Sequence, residues 1–230
     1  MSNIYANKIH EIKTIKEPFD HFVIDNFIDI DLFKNIYDSI DNIDTLNVFT
    51  KSKGRFGLNF KDWSKHKYLN QIKKDIFNDE IRATLINKFS NQIKKKQPKS
   101  LDSNWNATLT YDNSAYEIQK HRDNNIKQVT FIFYIKGGVS GTILHKNFFN
   151  IINKEKDKRI EFKENRLLCF SSFINTWHSV EKPKTPQNRF TIQAYLEFSE
   201  EPYLKWTSNG YPNLFNKIKN KLIPRSKDKI

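Results

Sequence analysis

Three residues of types that bind transition metals stand out by their spacing. His121 and Asp123 form an H-x-D pair within QKHRDNN, and His178 follows 55 residues after Asp123 within NTWHSV. Two imidazoles and one carboxylate on one face of an octahedron leave three positions open, which suits an Fe(II) ion that also binds a chelating molecule and O2. Taken alone, the H-x-D pair fits equally well a surface histidine beside an acidic turn.

A buried cation is predicted close to the same region. Arg189 follows His178 by eleven positions and opens the segment RFTIQAYL. Strand alternation places Arg189, Thr191 and Gln193 on one face and the apolar residues on the other. An inward-facing guanidinium is costly to bury without an anion, and a dicarboxylate held by a bidentate Arg fork would supply one.

The elements that would position these residues change in character along the chain. Residues 18–40 predict a strand, a turn and a helix that Asp29 or Asp31 can cap. Residues 64–96 carry apolar positions at helical spacing. Residues 45–63 lack periodicity and predict a basic loop that could act as a lid, in which Lys51, Lys53 and Arg55 could steer an acidic substrate.

From about residue 104 the sequence pattern changes to short predicted strands separated by turn-forming residues. These segments are TLTYD, AYEIQKH, VTFIFYI, GTILH, FFNII, RIEFK, RLLCFSS, TWHSV and RFTIQAYLEF. Short strands that follow a helical region indicate an α+β, mainly β chain, either a β-sandwich or a jelly roll with helices against one sheet.

Composition excludes several classes of protein. The 230 residues are 14% aromatic and lack a membrane-length apolar run, and the first residues lack a signal-peptide core. The lone cysteine, Cys169, rules out an internal disulfide framework and reads as a small core residue. We therefore expect a cytoplasmic protein with no membrane partner.

The net charge of +13 suggests nucleic acid, but lysines make up 32 of the 39 basic residues. Lys, Ile, Asn and Phe, which are abundant here, are all encoded by AT-rich codons. Lysine is also a point charge that reads bases poorly. A nucleic-acid partner is therefore not favoured, although it stays open.

The order of these motifs resembles the Fe(II)/2-oxoglutarate-dependent oxygenases, most closely their prolyl-hydroxylase-like branch, over roughly residues 105–198. The matching block reads Tyr111, then HRD ten residues later, then VTFIFYIKGG with Tyr134, SGTIL, RLLCFSS, HSV and a basic residue. Departures are Lys136 in place of the usual Asn, the split GGVSG turn, and Thr191 and Gln193 in the last strand. These departures concern the substrate subclass rather than the metal.

The resemblance implies a double-stranded β-helix (jelly-roll) core with N-terminal helices packed on one sheet. We expect one oxygenase domain over residues 1–230, in which helical support (18–98), the core (104–200) and a basic tail (203–230) follow one another. The cofactor and co-substrates implied are Fe(II), 2-oxoglutarate and O2.

Site residues follow from the same resemblance. Metal ligands would be His121, Asp123 and His178. The residues implied to hold 2-oxoglutarate are Arg189 and Tyr134 at its distal carboxylate, Tyr111 near the iron-chelating end, and Thr191 beside them. Relatives that halogenate replace the ligand carboxylate with a small residue, so Asp123 favours hydroxylation.

The expected activity is hydroxylation of an unactivated C–H bond, with succinate and CO2 as co-products. The substrate would be a peptidyl proline or another peptide side chain, with a small molecule or sugar as the alternative. Nucleic-acid oxygenases usually carry R-x-N-x-T-x-R, and RFTIQAY lacks both that Asn and the second Arg. A non-enzymatic jelly-roll module is less favoured because the triad and Arg189 are intact. A cupin-like metalloprotein is less favoured because cupins usually use more histidines and a Glu, which this chain does not place appropriately.

Overall fold

The computed structural model describes residues 3–40, 49–52, 54–113, 117–138, 140–146, 157–180 and 188–206. The predicted strand FFNII and most of the basic tail lie outside these ranges. Within them, no helix is both long enough and apolar enough to cross a membrane.

Helices dominate the N-terminal part of the described chain. They are α1 (Ile4–Glu11), α2 (Ile30–Ser39), α3 (Lys67–Asp75), α4 (Asp79–Lys88) and α5 (Ser90–Lys94), with a 3-10 helix over Phe60–Lys65. Asp29, not Asp31, is the cap of α2, because its side chain accepts the N–H groups of Asp31 and Leu32. The predicted helical stretch 64–96 is divided into three helices, and Asn78 caps the second of them. The pattern gave no sign of α1.

The strands of the described chain form two antiparallel sheets. Their bounds are β1 (His21–Ile24), β2 (Phe49–Ser52), β3 (Arg55–Asn59), β4 (Ser103–Asp112), β5 (Ile118–His121), β6 (Lys127–Lys136), β7 (Thr142–His145), β8 (Lys158–Ile160), β9 (Arg166–Ser171), β10 (Trp177–Val180) and β11 (Arg189–Phe198). The larger sheet has the order β1-β9-β6-β11-β4-β3-β2, and the smaller sheet has the order β5-β10-β7-β8.

The larger sheet separates two buried clusters because alternate residues of its strands face opposite sides. On one side, Ile192, Ala194 and Leu196 of β11 share a cluster with apolar residues of the helices, as the alternation predicted. On the other side, Ile132 and Tyr134 of β6 belong to a smaller cluster between the sheets. Cys169 lies fully buried on the helix side, as expected for a core residue.

The prediction of a loop over residues 45–63 is wrong for the part that the structure describes. Residues 49–52 and 55–59 form an antiparallel pair, β2 and β3, and β3 extends the large sheet by pairing with β4. The partner strand lies about fifty residues further on, so no local pattern could reveal the pairing. Arg55, expected to face an acidic substrate from a lid, is buried instead.

Asn165 joins the N-terminal segment to the large sheet. Its Oδ1 accepts from Ile28 N at 3.0 Å and its Nδ2 donates to Ile28 O at 3.0 Å. Its backbone O also accepts from Phe27 N, and its φ of 55° lies in the left-handed region that Asn tolerates. One side chain thus fixes where α2 begins relative to β9.

Replacing Asn165 tests this connection. We expect Asn165→Ala to lower the free energy of unfolding by about 2–4 kcal/mol, because two buried backbone groups lose their partners and Ala is strained at positive φ. Asn165→Gly, which loses the amide but accepts that φ, should lose less. Urea unfolding measures both, and equal losses in the two variants would contradict a backbone contribution.

Candidate metal centre

The fold brings the three predicted metal-binding residues together. His121 ends β5 and His178 lies directly opposite on β10, with ring centroids 4.2 Å apart. Asp123 follows two residues after His121, and His178 Nε2 lies 3.9 Å from Asp123 Oδ2. One ligand atom from each residue lies within 4.8 Å of the others.

Both histidines are held in the same tautomer by the backbone. The Nδ1 of His121 is 3.0 Å from Gln119 O, and the Nδ1 of His178 is 3.2 Å from Thr176 O. Because a carbonyl only accepts, each Nδ1 carries the hydrogen and each Nε2 keeps its lone pair. Burial lowers the pKa of His121. Burial is also the main reason why the pKa of His178 is lowered to about 3, and the nearby His121 is the second reason. Both rings are therefore neutral at physiological pH and could bind a metal ion through Nε2.

Asp123 is a buried carboxylate with a dense set of donors. Lys127 Nζ donates to Oδ1 at 2.7 Å, and Thr130 Oγ1 donates to Oδ2 at 2.5 Å. Burial alone would raise the pKa of Asp123, but the charge and hydrogen bond of Lys127, together with the hydrogen bond from Thr130, outweigh burial and hold that pKa well below its usual range. Trp206 Nε1 donates to the backbone O of Asp123 at 2.7 Å.

Sequence reasoning missed these supporting residues. Thr130 could have been found, because it alternates onto the same face of β6 as Tyr134. Lys127 lies four residues after Asp123, but this spacing alone did not predict their contact. In the structure the Lys127 ammonium also lies over the Tyr195 ring, 3.4 Å from its centroid, so a residue of β11 helps to position it. Trp206 stands in the tail, where nothing in the pattern marks it.

A cationic cluster lies further along the same face of the large sheet. Arg189 Nε donates to Asp112 Oδ2 at 2.8 Å, and Arg189 Nη1 donates to Ser140 O at 2.7 Å. Tyr134 Oη and Thr142 Oγ1 are hydrogen-bonded at 2.7 Å. Burial raises the pKa of the Tyr134 phenol, so Tyr134 stays neutral and can donate to an anion.

Thr191 takes the inward-facing position that alternation predicted for it. It is fully buried, and its Oγ1 lies 2.6 Å from Thr110 Oγ1 on the neighbouring strand. Thr191 also pairs in register with Tyr134 of β6. Arg189, Tyr134 and Thr191 are therefore neighbours, as the predicted co-substrate site requires.

The structure does not place Tyr111 where it was expected, near the iron-chelating end. Tyr111 pairs in register with Phe190, and their rings lie 4.9 Å apart between centroids. Both residues alternate onto the face opposite Arg189 and Thr191, so the Tyr111 ring also packs on Phe56 rather than between the sheets. Its neighbour Asp112 takes the inward-facing position.

His145, at the end of β7, is a buried histidine beside the triad. It is buried, with Nδ1 at 2.6 Å from Asp157 Oδ2 and Nε2 at 2.7 Å from Ser179 Oγ. It pairs with Trp177, the neighbour of His178, on the smaller sheet. His145 thus stabilises the strand that carries a triad histidine.

The donor set fits a ferrous ion. Two imidazole nitrogens with free lone pairs and one ionised carboxylate are borderline-to-hard ligands, and such a facial triad leaves positions open for a chelating co-substrate. The outer hydrogen bonds to both Nδ1 groups and to the carboxylate are those that orient metal ligands in proteins.

Comparison with known proteins agrees with this geometry. Residues 107–197 match the family model of the 2OG-Fe(II) oxygenase superfamily. No match to a curated protein was found. The matched region contains the three triad residues together with Arg189, Tyr134 and Thr191.

Solved structures give the same result for the fold. A Pseudomonas putida prolyl-4-hydroxylase has a TM-score of 0.58 at 11% identity, covering 87% of this chain and 100% of that chain. A Trichoplax adhaerens prolyl hydroxylase, in complex with a hypoxia inducible factor peptide fragment, has a TM-score of 0.52 at 15% identity, covering 85% and 88%. The epimerase SnoN, in complex with Fe3+, alpha ketoglutarate and nogalamycin RO, has a TM-score of 0.53 at 8% identity, covering 78% and 79%.

Fold, triad and matched region together define a non-haem iron oxygenase that depends on 2-oxoglutarate and O2. The part of the chain from residue 107 to residue 197 matches the 2OG-Fe(II) oxygenase superfamily, and the fold resembles that of the prolyl hydroxylases. The resemblance and the cofactors expected from the sequence are thereby confirmed.

The hydroxyl group of Thr130 provides a test of how Asp123 is held. We expect Thr130→Val to weaken Fe(II) binding about tenfold or more, because Asp123 loses a hydrogen bond that orients it. Thr130→Ser keeps the hydroxyl and should bind iron within about threefold of the wild type. Anaerobic Fe(II) titration measures both, and equal weakening in the two variants would point to packing instead.

The low pKa of His178 predicts an acid-sensitive apoprotein. The pKa of His178 is about 3 in the folded protein and about 6.5 in the unfolded chain. Between pH 6.5 and pH 3, the unfolded chain therefore binds this proton and the folded protein does not. Stability should therefore fall as the pH drops from 6.5 to 4.5. In His178→Asn the slope should be smaller, by at most about 1.4 kcal/mol per pH unit. Urea unfolding across this range measures the slope, and identical slopes would contradict the assignment.

Proposed function

We propose that the protein hydroxylates an unactivated C–H bond, with His121, Asp123 and His178 as the Fe(II) ligands. In the balanced reaction, 2-oxoglutarate and O2 are consumed. One oxygen atom goes to the substrate as a hydroxyl group, the other goes into succinate, and CO2 is released. The observation that carries the proposal is that the two triad histidines on the smaller sheet and a buried Arg–Tyr pair on the larger sheet lie on facing strands of the two sheets.

The spacing along β6 supports 2-oxoglutarate as the molecule between them. Thr130, which bonds the ligand Asp123, and Tyr134, which neighbours Arg189, are four residues apart on one face. Four residues of strand span about 13 Å. A five-carbon dicarboxylate can thus reach from the metal toward Arg189, since the side chains at both ends project into the intervening space.

Each residue would then have a defined task. Arg189 and Tyr134 would bind the distal carboxylate, and Thr191 would fix the packing beside them. The triad would hold Fe(II), which supplies the redox chemistry when bound. Asp123 would stay ionised through Lys127, and the apolar residues between the sheets would exclude water from the reacting atoms.

We also propose that the two sheets form a double-stranded β-helix. Strands β4 to β11 would be its eight core strands. The larger sheet places them in the order β9-β6-β11-β4 and the smaller sheet in the order β5-β10-β7-β8. Successive strands thus mainly alternate between the sheets, as a jelly roll requires. The helices and β1 to β3 would be additions to that core.

A peptide side chain, with peptidyl proline first, is the substrate class that we propose. The fold likeness to prolyl hydroxylases, one of them solved with a peptide, supports it. A small-molecule substrate is the second candidate, because the structurally similar SnoN was solved with nogalamycin RO. Lys51 and Lys53, in the segment expected to steer an acidic substrate, have side chains outside the described structure.

Anaerobic spectroscopy tests the proposed site. We expect Fe(II) plus 2-oxoglutarate to give a weak metal-to-ligand charge-transfer band in the visible region, because the keto acid chelates the metal. His178→Ala should abolish the band. His10→Ala, which changes an exposed histidine on α1, should retain it. Absence of the band in the wild type would reject the proposal.

Turnover then tests the substrate class. Succinate release above the uncoupled background is expected with proline-containing peptides, with a mass gain of one oxygen atom on the peptide. Stimulation by a metabolite pool alone would favour the small-molecule candidate.

A further inference from the structure

A second buried arginine shares the carboxylate that contacts Arg189. Arg55 Nε donates to Asp112 Oδ1 at 2.5 Å, and Arg55 Nη2 donates to Asp112 Oδ2 at 2.7 Å. Arg55 Nη1 also donates to Gln193 Oε1 at 3.0 Å. Arg55 is 5% exposed, Asp112 2% and Arg189 5%. We call these three residues the Arg–Asp–Arg cluster.

Strand register explains why the cluster exists. Asp112 on β4 pairs with Arg55 on β3 and with Arg189 on β11, so an arginine flanks it on each side. Side chains directly opposite on neighbouring strands project to the same face. Arg55 lies outside residues 107–197, the region that matches the family model, so it is contributed by the added strand β3.

The Arg–Asp–Arg cluster carries a net positive charge. Two guanidinium groups and one carboxylate sum to 2 − 1 = +1. Without Arg55, the pair of Asp112 and Arg189 would sum to zero, and Asp112 would compete with any other anion for Arg189. Arg55 donates to both oxygens of Asp112, and Arg189 donates to Oδ2 through Nε.

We propose that Arg55 is a positioning residue for 2-oxoglutarate: by neutralising Asp112, it leaves the cluster with the positive charge that receives the distal carboxylate at Arg189. The inference rests on the proposed function of Arg189. It adds that affinity for the dicarboxylate is set by the whole cluster rather than by one arginine, and that β3 is needed for co-substrate binding.

A charge series tests the inference through binding. Affinity for 2-oxoglutarate is measured by calorimetry on Fe(II)-loaded protein without O2. We expect Arg55→Gln, with a cluster charge of zero, to bind about 10- to 100-fold more weakly, as one unit charge at several ångströms produces at an effective dielectric of about 20. The double variant Arg55→Gln/Asp112→Asn restores +1 and should return to within about threefold of the wild type.

A matched ligand separates charge from general damage to the site. The monocarboxylate 2-oxovalerate shares the chelating keto-acid end but lacks the distal carboxylate. Its affinity should be the same in the wild type and in Arg55→Gln. Arg82→Gln, a partly exposed arginine paired with Asp79, controls for loss of an arginine elsewhere and should bind both ligands as the wild type does.

The outcomes are distinct. Unchanged 2-oxoglutarate affinity in Arg55→Gln, equal weakening for both ligands, or a double variant as weak as Arg55→Gln would each overturn the inference while leaving the proposed function intact. A wild type that binds no 2-oxoglutarate would overturn both. If Arg55→Gln does not fold, Asp112→Asn (+2) should bind 2-oxoglutarate more tightly than the wild type (+1), and equal affinities would overturn the inference.

Discussion

The ionised, buried carboxylate of Asp123 is the constraint on which much of the site depends. A charge in a protein interior is tolerated only when it is paired and hydrogen-bonded. Lys127 and Thr130 provide those bonds from the start of β6, which anchors the turn after β5 to the large sheet. Trp206 adds a bond from the far C-terminal side of the core. Metal binding and closure of the fold at this end therefore depend on the same contacts.

Strand β11 extends this constraint to the other end of the site. Its inward face presents Arg189, Thr191 and Gln193, and its outward face packs in the helix-side cluster. Because β11 is hydrogen-bonded along its length to both β4 and β6, the positions of these side chains are tightly set. Helix packing on one face thus fixes the residues that line the other.

The Arg–Asp–Arg cluster changes how the charge of Arg189 is interpreted. From the sequence, an inward-facing arginine called for a dicarboxylate as its counter-ion. In the structure it already contacts a carboxylate, Asp112, and the positive charge that suits an external anion belongs to the cluster with Arg55. The anion binding first assigned to Arg189 alone is thereby shared by residues of three strands, β3, β4 and β11.

Much of the site could be predicted from the sequence because its signals are local or nearly periodic. The H-x-D spacing identified His121 and Asp123, and two-residue alternation assigned the faces of β11. The Tyr111 expectation was wrong because motif spacing identifies a strand, whereas the face is set by register with Phe190. One residue of register moves every side chain to the opposite face.

The sequence by itself determined the class of metal centre, the strand-rich core and the inward face of the last strand, since these follow from residue type and short-range periodicity. Only the tertiary structure decided which groups stabilise them. Lys127, Thr130 and Trp206 meet Asp123, and Arg55 meets Asp112, through contacts between separate elements. Sheet order and register create such contacts, and neither is encoded in any local pattern, because each depends on which distant strands pair.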